Sequence, residues 1–114
     1  MDRVGAVDFL RSCAERLISE RPEVVEVVLF GSLADGTAVP GSDADVMIVL
    51  EKSSQRRWFD RIDDYVDYFI DIDIGVDIFP YTVDELRSVP LARTACRTGK
   101  VLARRKGKAT DIMT

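Results

Sequence analysis

Two runs of aliphatic residues, separated by a loop of small and polar residues, most constrain the fold of this chain of 114 residues. Residues 23–30 read EVVEVVLF and residues 43–50 read DADVMIVL. Both runs are rich in residues that favour strands, and the unbroken apolar end of the first indicates burial on both faces. Residues 31–42, GSLADGTAVPGS, predict a loop. The pattern therefore predicts strand, loop and strand at the centre of a sheet.

Helical spacing of apolar residues surrounds these strands. Residues 3–20 predict a first helix, which Arg21 and Pro22 end, because the residue before proline avoids the helical region. Residues 53–69 predict a second helix with Ser53 or Ser54 as its N-cap. Its apolar stripe comprises Trp58, Ile62, Tyr65, Val66 and Phe69.

The second half of the chain predicts a third strand and short helices. Residues 70–79, IDIDIGVDIF, alternate apolar and acidic residues as a strand does, and Pro80 is expected to stop it. Thr82 and Glu85 have the spacing of a capping box. One or two helical turns are expected over residues 91–97, followed by Gly99 as a C-cap and a last short strand over residues 100–103.

This order of elements predicts an α+β (mixed α/β) fold, a small mixed β-sheet with helices packed mainly on one face. The length suits one domain. We assign residues 1–103 to that domain and residues 104–114 to a basic, flexible C-terminal tail.

Composition narrows the chemistry. The net charge of −4 argues against direct nucleic-acid binding, which needs a basic surface. The chain has no histidine, which excludes histidine-based zinc sites and catalytic triads. Cys13 and Cys96 are isolated in sequence and fit a reducing cytosol better than a disulfide framework. Neither a signal peptide nor a membrane-spanning run is recognisable, so we expect a cytoplasmic protein. Any catalysis must use carboxylates.

The loop between the two strands carries the candidate site. Gly31 allows a tight turn and a close approach to a ligand, and Ser32 and the backbone N–H groups of such a turn can bind phosphate oxygens. Asp43 and Asp45 are two apart on a strand, so both carboxylates lie on the same face. Two such carboxylates can share a pair of Mg²⁺ ions with substrate phosphates.

A third carboxylate is needed to complete such a site and to take a proton from the nucleophile. Asp77 is the favoured candidate, because a charge between core residues is costly unless it is paired or metal-bound. Asp71 and Asp73 lie on the same predicted face and stay open as substitutes. The alternative to a functional site is an ordinary turn in which Ser42 and Asp43 make local hydrogen bonds.

The segment FGSLADGTAVPGSDADVMIVL, followed by Asp77 on a later strand, resembles the signature of the minimal nucleotidyltransferases of the DNA polymerase β-like superfamily. The resemblance implies a palm-like nucleotidyltransferase fold and transfer of a nucleoside monophosphate from ATP or another nucleoside triphosphate. It assigns nucleotide binding to Gly31 and Ser32. To these we add Ser42, which immediately precedes Asp43. The resemblance assigns the two Mg²⁺ ions and catalysis to the three aspartates named above.

The same resemblance implies a protein partner. Many relatives are antitoxins that add AMP to a tyrosine of a HEPN-domain RNase, and we expect this activity here. The rival hypothesis is a catalytically weak or inactive module that neutralises a partner by stoichiometric contact. The sequence leaves the oligomeric state open.

One departure from the family pattern concerns charge. Relatives carry basic residues in the Gly-Ser loop where this chain has Leu33 and Asp35. We therefore expect weak nucleotide affinity. Cations elsewhere could replace the missing charge, although ordinary solvated helix faces are the simpler explanation for each of them; they are Arg56, Arg57, Arg93, Arg97 and Lys100.

Overall fold

Four strands form one mixed sheet in the order β3–β2–β1–β4. The computed structural model describes residues 3–31, 34, 36, 43–53, 57–70, 72 and 74–106. The strands are β1 (Val24–Phe30), β2 (Ala44–Leu50), β3 (Val76–Thr82) and β4 (Lys100–Arg104). β1 runs antiparallel to both β2 and β4, whereas β2 and β3 are parallel. The mixed sheet and the α+β class are as the sequence predicts.

Helices cover both faces of this sheet. They are α1 (Arg3–Glu20), α2 (Ile62–Tyr65) between the 3₁₀ turns Trp58–Arg61 and Val66–Phe69, α3 (Val83–Leu86) and α4 (Pro90–Thr98). α1 and α2 pack on one face, and α3 and α4 pack on the other. The expectation of helices mainly on one face is therefore wrong, because the inner strands carry apolar residues on both faces and all seven residues of β1 are buried.

The predicted helix over residues 53–69 is shorter and broken. Helical structure begins at Trp58, Ser53 lies outside it, and Ser54 is outside the described residues. Trp58 packs with the cluster on one face of the sheet, whereas Tyr65 and Phe69 belong to the cluster on the other. A single straight helix cannot reach both faces, so the chain turns around the sheet edge in short segments.

The third strand is displaced from its predicted position. It begins at Val76, which pairs with Ala44, the first residue of β2. A strand needs a hydrogen-bonded neighbour, and this pairing starts only where β2 begins. Pro80 does not stop β3, because β3 is an edge strand, where the missing N–H of proline leaves no bond unmade.

The predicted ends of the later elements are confirmed. Thr82 and Glu85 form both bonds of the capping box, and α4 ends at Gly99, as expected. Gly99 has an ordinary φ of −79°, so backbone conformation does not explain why this position needs glycine. Close packing does. A Cβ there would lie 2.5 Å from the carbonyl oxygen of Ala95 and 2.6 Å from Val28 Cγ1.

The predicted flexible tail begins with two residues that belong to the fold. Arg104 is the last residue of β4 and pairs with Glu26, whose side chain is fully buried. Arg105 donates hydrogen bonds to the carbonyl oxygens of Ile18, Arg21 and Val24. Residues 107–114 lie outside the described residues, so the flexibility of this part of the tail stays a prediction. None of the helices in the described part of the chain is long and apolar enough to span a bilayer.

Candidate active site

β1 ends in a tight turn at Gly31. Gly31 has a φ of +78°, which other residues rarely adopt, and its carbonyl oxygen accepts a hydrogen bond of 3.1 Å from the N–H of Ala34. A Cβ on Gly31 would also lie 2.5 Å from Oδ2 of Asp45. Glycine is therefore needed for both the turn and the close approach of this carboxylate.

The start of β2 holds the two aspartates of the sequence motif. Asp43 immediately precedes the strand and Asp45 is its second residue, opposite Phe30 of β1. The two residues alternate with Ala44, so their side chains share one face of the sheet. Asp43 is exposed, whereas Asp45 is half-buried.

Gly75 fixes the start of β2 against the start of β3. The N–H of Ala44 donates a 2.8 Å hydrogen bond to the carbonyl oxygen of Gly75. A Cβ on Gly75 would overlap Oδ1 of Asp43 and would lie 2.9 Å from its Cγ. Sequence reasoning gave Gly75 no role. A glycine interrupting an alternating strand pattern is the signal that could have revealed this close approach.

Asp77 is brought beside Asp45 by the register of the parallel strands. The two residues are direct partners in the β2–β3 pairing, and neighbouring strands lie about 4.8 Å apart. Asp77 alternates with Ile78, as Asp45 does with Val46, so both carboxylates lie on the same face. The structure thus brings together Asp43, Asp45 and Asp77.

Several residues of the predicted site lie outside the described residues. They are Ser32, Ser42, Leu33 and Asp35 in the loop, and Asp71 and Asp73 before β3. Nucleotide binding by the two serines, and the preference for Asp77 over the other two aspartates, stay predictions.

Repulsion by neighbouring carboxylates shows in the acid–base properties of Asp45. Burial raises the pKa of Asp45, and the negative charges of Asp77 and then Asp43 raise it further. A cation placed among these carboxylates would relieve both effects, and oxygen donors are the ligands that Mg²⁺ prefers. In the part of the chain that the structure describes, no three acidic or cysteine side chains converge as the ligands of one bound ion would. The donor chemistry fits Mg²⁺ shared with substrate phosphates.

Aromatic residues form the sheet surface beside the aspartates. Phe79 follows Asp77 by two residues on the same face, and its ring lies 5.5 Å from that of Phe30, measured between centroids. Trp58 lies 5.6 Å from Phe79 and 5.6 Å from Tyr81. Sequence reasoning missed this cluster, although Phe30 adjoins Gly31 in the motif. This packing joins the end of β1 to the middle of β3 on the face where Asp45 and Asp77 lie.

The adjacent aromatic residues Trp58 and Phe59 lie in different surroundings. Trp58 packs against the core, whereas Phe59 is 48% exposed and contacts the Trp58 ring edge-on. The guanidinium of Arg57 lies 4.6 Å from the centroid of the Phe59 ring and also pairs with Asp60. Arg57 therefore has local partners of its own.

Comparison with known proteins gives a family match. Residues 10–94 match the family described as nucleotidyltransferase domain. A candidate protein adenylyltransferase of Methanocaldococcus jannaschii is 34% identical over 80 residues, which cover 68% of this chain and 51% of the relative. The chain thus spans about half the length of this relative.

Solved structures share the fold. A crystal structure of a candidate nucleotidyltransferase from Sulfolobus solfataricus superposes with a TM-score of 0.70 at 22% identity, covering 92% of this chain and 86% of that one. A chain from a toxin–antitoxin structure with AMP-PNP gives a TM-score of 0.54 at 20% identity, covering 84% of this chain and 74% of that one. At these identities the likeness concerns the fold.

Proposed function

The chain belongs to the nucleotidyltransferase domain family, and from that premise we propose that it transfers AMP from ATP to a hydroxyl group of a protein. The reaction depends on two Mg²⁺ ions and takes place in the cytoplasm. The name of the Methanocaldococcus jannaschii relative supports a protein as the acceptor.

The observation that carries this proposal is the register between β2 and β3. It sets Asp77 directly beside Asp45, on the face that Asp43 shares and next to the turn at Gly31. Three carboxylates beside a glycine turn are the protein groups that two-metal phosphoryl chemistry requires. An ordinary turn would explain Gly31 and Asp43 but not the position of Asp77.

In the proposed reaction, the acceptor oxygen forms a bond to the α-phosphorus while the bond from that phosphorus to the bridging oxygen of the β-phosphate breaks. Pyrophosphate leaves with the bond's electron pair. Asp77 takes the proton of the attacking hydroxyl. Asp43, Asp45 and Asp77 would hold the two Mg²⁺ ions, whose chemistry is to polarise the phosphoryl oxygens and to stabilise the attacking and leaving oxygens. Gly31, Ser32 and Ser42 would position the triphosphate.

We further propose that the acceptor is a tyrosine of a HEPN-domain toxin and that the chain acts as its antitoxin. The structural likeness to a chain from a toxin–antitoxin complex that contains AMP-PNP supports this assignment. A tyrosine hydroxyl could reach the carboxylates because Asp43 and Asp77 are exposed.

The test is transfer of label from [α-³²P]ATP to a partner that co-purifies with the chain, with Mg²⁺ present. The expected result is labelled partner, released pyrophosphate and a modified tyrosine in its peptide map. Asp43→Asn combined with Asp45→Asn should abolish labelling. Label that remains at the wild-type level in this double variant would contradict the proposed site.

The second candidate function is neutralisation by contact alone. The loop has Leu33 and Asp35 where relatives carry basic residues. This favours neutralisation by contact, since a loop without cations binds a triphosphate less tightly. The same double variant separates the two functions in cells. If it still neutralises the toxin at equal expression, contact suffices and catalysis is not the antitoxin mechanism.

A further inference from the structure

The proposed function leaves a deficit of positive charge, and this inference rests on that function. A triphosphate is a polyanion, and the three aspartates add further negative charge at the same end of the sheet. Two Mg²⁺ ions would compensate part of it. Phosphoryl-transfer sites also use arginine or lysine on the phosphates that leave. The loop, with Leu33 and Asp35, supplies no such cation.

About half of the cations in the described part of the chain are already engaged. Six arginines pair with acidic side chains and one bonds to backbone carbonyl oxygens; they are Arg11, Arg16, Arg21, Arg57, Arg61 and Arg104, and Arg105. The remaining cations whose side chains the structure describes make no ion pair with a described residue; they are Lys52, Arg87, Arg93, Arg97, Lys100 and Lys106. The last helix and the strand after it hold three of these six.

Strand direction separates these candidates by their distance from the site. Lys52 follows the end of β2 that is opposite Asp43, and Arg87 follows α3, beyond the end of β3 that is opposite Asp77. Lys106 follows the end of β4 that pairs with the start of β1. All three therefore lie at the end of the sheet remote from Gly31.

The turn between α4 and β4 lies at the Gly31 end. Lys100 pairs with Leu29, two residues before Gly31. Gly99 packs so closely on β1 that an added Cβ would lie 2.7 Å from the carbonyl oxygen of Leu29. This contact fixes the last turn of α4, and Arg97 within it, beside the end of β1. Arg93 is one helical turn farther away, about 6 Å along the axis.

The two nearest cations lie on different faces of the sheet. α4 packs through Ala92 and Ala95 on the cluster that includes Met47, which is the face of the three aspartates. Arg97 is exposed on this helix. Lys100 pairs with Leu29, whose side chain belongs to the opposite face. Arg97 is thus the cation on the aspartate side, and Lys100 lies behind the turn.

We propose that Arg97 binds the β- and γ-phosphates of the nucleotide and the pyrophosphate that leaves, and that Lys100 adds positive charge from behind the turn. They replace the charge that the loop lacks at Leu33 and Asp35. Both residues lie beyond residues 10–94, the part of the chain that matches the family. The phosphate-binding half of the site is therefore completed by the turn between α4 and β4.

The test compares three ligands in the presence of Mg²⁺: inorganic pyrophosphate, an ATP analogue with a methylene bridge between its α- and β-phosphates, and AMP. Arg97→Ala should weaken binding of the first two about tenfold or more, as loss of a hydrogen bond from a charged donor does. AMP, which lacks the β- and γ-phosphates, should bind nearly unchanged. Lys100→Ala should show a smaller loss of the same kind, and Arg97→Lys should restore part of the affinity.

Arg93→Ala is the matched control, since Arg93 is also exposed and lies on the same helix. Its losses should stay below about twofold, because exposed charges farther off are screened by salt. Equal losses in Arg93→Ala and Arg97→Ala, or unchanged binding in Arg97→Ala plus Lys100→Ala, would overturn this inference and leave the proposed function standing. A wild-type chain that binds neither pyrophosphate nor the ATP analogue would overturn both.

Discussion

At the end of the sheet where β3 leads into α3, a buried arginine, a glutamate and two backbone groups satisfy one another. Arg61 is 3% exposed, pairs with Glu85 and donates a 3.0 Å hydrogen bond to the carbonyl oxygen of Pro80. Glu85 also accepts a 2.8 Å hydrogen bond from the N–H of Thr82. At the opposite end, the carboxylate of Asp45 is repelled by those of Asp77 and Asp43. No ion pair among the described residues includes them.

The contrast indicates how the chain divides stability from function. Removing one member of a buried ion pair leaves an uncompensated charge and costs several kcal/mol. The end of the sheet with Arg61, here named the closed end, therefore stabilises the fold. The end with the three aspartates, here named the open end, holds negative charges that repel one another and that a bound cation can neutralise. Mg²⁺ and a nucleotide would do there what arginine does at the other end.

Acid–base behaviour differs in sign between the two ends. For Glu85, burial alone would raise the pKa, but hydrogen bonds from Arg61 and Thr82 and the charge of Arg61 lower it overall. For Asp45, burial and the charges of two neighbouring aspartates raise the pKa. One carboxylate is stabilised as an anion and the other is not.

The largest expected effect is on catalysis at the open end. Asp45→Asn should lower the rate of AMP transfer about 10³-fold, because a metal ligand contributes several kcal/mol of transition-state stabilisation. The measurement is the initial rate of label transfer from [α-³²P]ATP. Without metal, the variant should unfold at or above the wild-type temperature, because a repelled charge has been removed.

Asp63→Asn is a suitable control for this prediction. Asp63 is exposed in α2 and makes none of the ion pairs seen among the described residues. Its transfer rate should equal that of the wild type. A large loss of folded stability in Asp45→Asn would show that the open end is stabilising and would contradict the comparison.

The next largest effect is on stability at the closed end. Arg61→Ala should lower the free energy of unfolding by about 3–5 kcal/mol, because Glu85 and the carbonyl oxygen of Pro80 lose their buried partner. Urea unfolding followed by circular dichroism measures this change. The matched control is Arg57→Ala, which breaks an exposed pair with Asp60 and should cost at most about 1 kcal/mol.

The first two strands and the common face of Asp43 and Asp45 could be predicted from the sequence because their signals are local. A run such as residues 43–50 predicts its own conformation, and the spacing of Asp43 and Asp45 fixes their common face. The capping box at Thr82 is likewise complete within four residues. These features needed no knowledge of the rest of the fold.

Features that depend on distant partners could not be predicted. The start of β3 at Val76 is set by where β2 begins, and the break at Trp58 by two apolar clusters on opposite faces. Arg61 and Gly75 had no sequence signal strong enough to stand out. The position of Arg97 followed only once the pairing of β4 with β1 was known.

A smaller loss of stability is expected from removing Arg105, which bonds to the backbone at the closed end. Arg105→Ala removes three hydrogen bonds to carbonyl oxygens, two of them in the segment that ends α1 and leads to β1. The expected cost is about 1–3 kcal/mol, since buried acceptors lose a charged donor. Thermal unfolding measures it. Lys106→Ala, at an exposed neighbouring position, should cost less than about 0.5 kcal/mol. Equal stability of the two variants would mean that Arg105 belongs to the tail.

The smallest effect is the pH dependence of stability, which should have opposite signs at the two ends. The pKa of Asp45 is raised by folding, so its cost is largest at neutral pH and disappears as the pH falls through the folded-state pKa. Asp45→Asn should therefore be more stable than the wild type at pH 7 without metal, and this advantage should shrink towards pH 4. The pKa of Glu85 is lowered by folding, so its contribution is present at neutral pH and is lost as the pH falls.

Glu85→Gln should accordingly be less stable than the wild type at pH 7, with the difference closing on acidification. Urea midpoints at pH 7, pH 5.5 and pH 4 for both variants measure the two slopes. Added Mg²⁺ should reverse the sign for Asp45→Asn at pH 7, because only the wild type gains the ion's binding energy, and should leave Glu85→Gln unchanged. Parallel slopes in the two variants would mean that both ends compensate their carboxylates alike, and the open end would then have no unsatisfied charge with which to bind Mg²⁺.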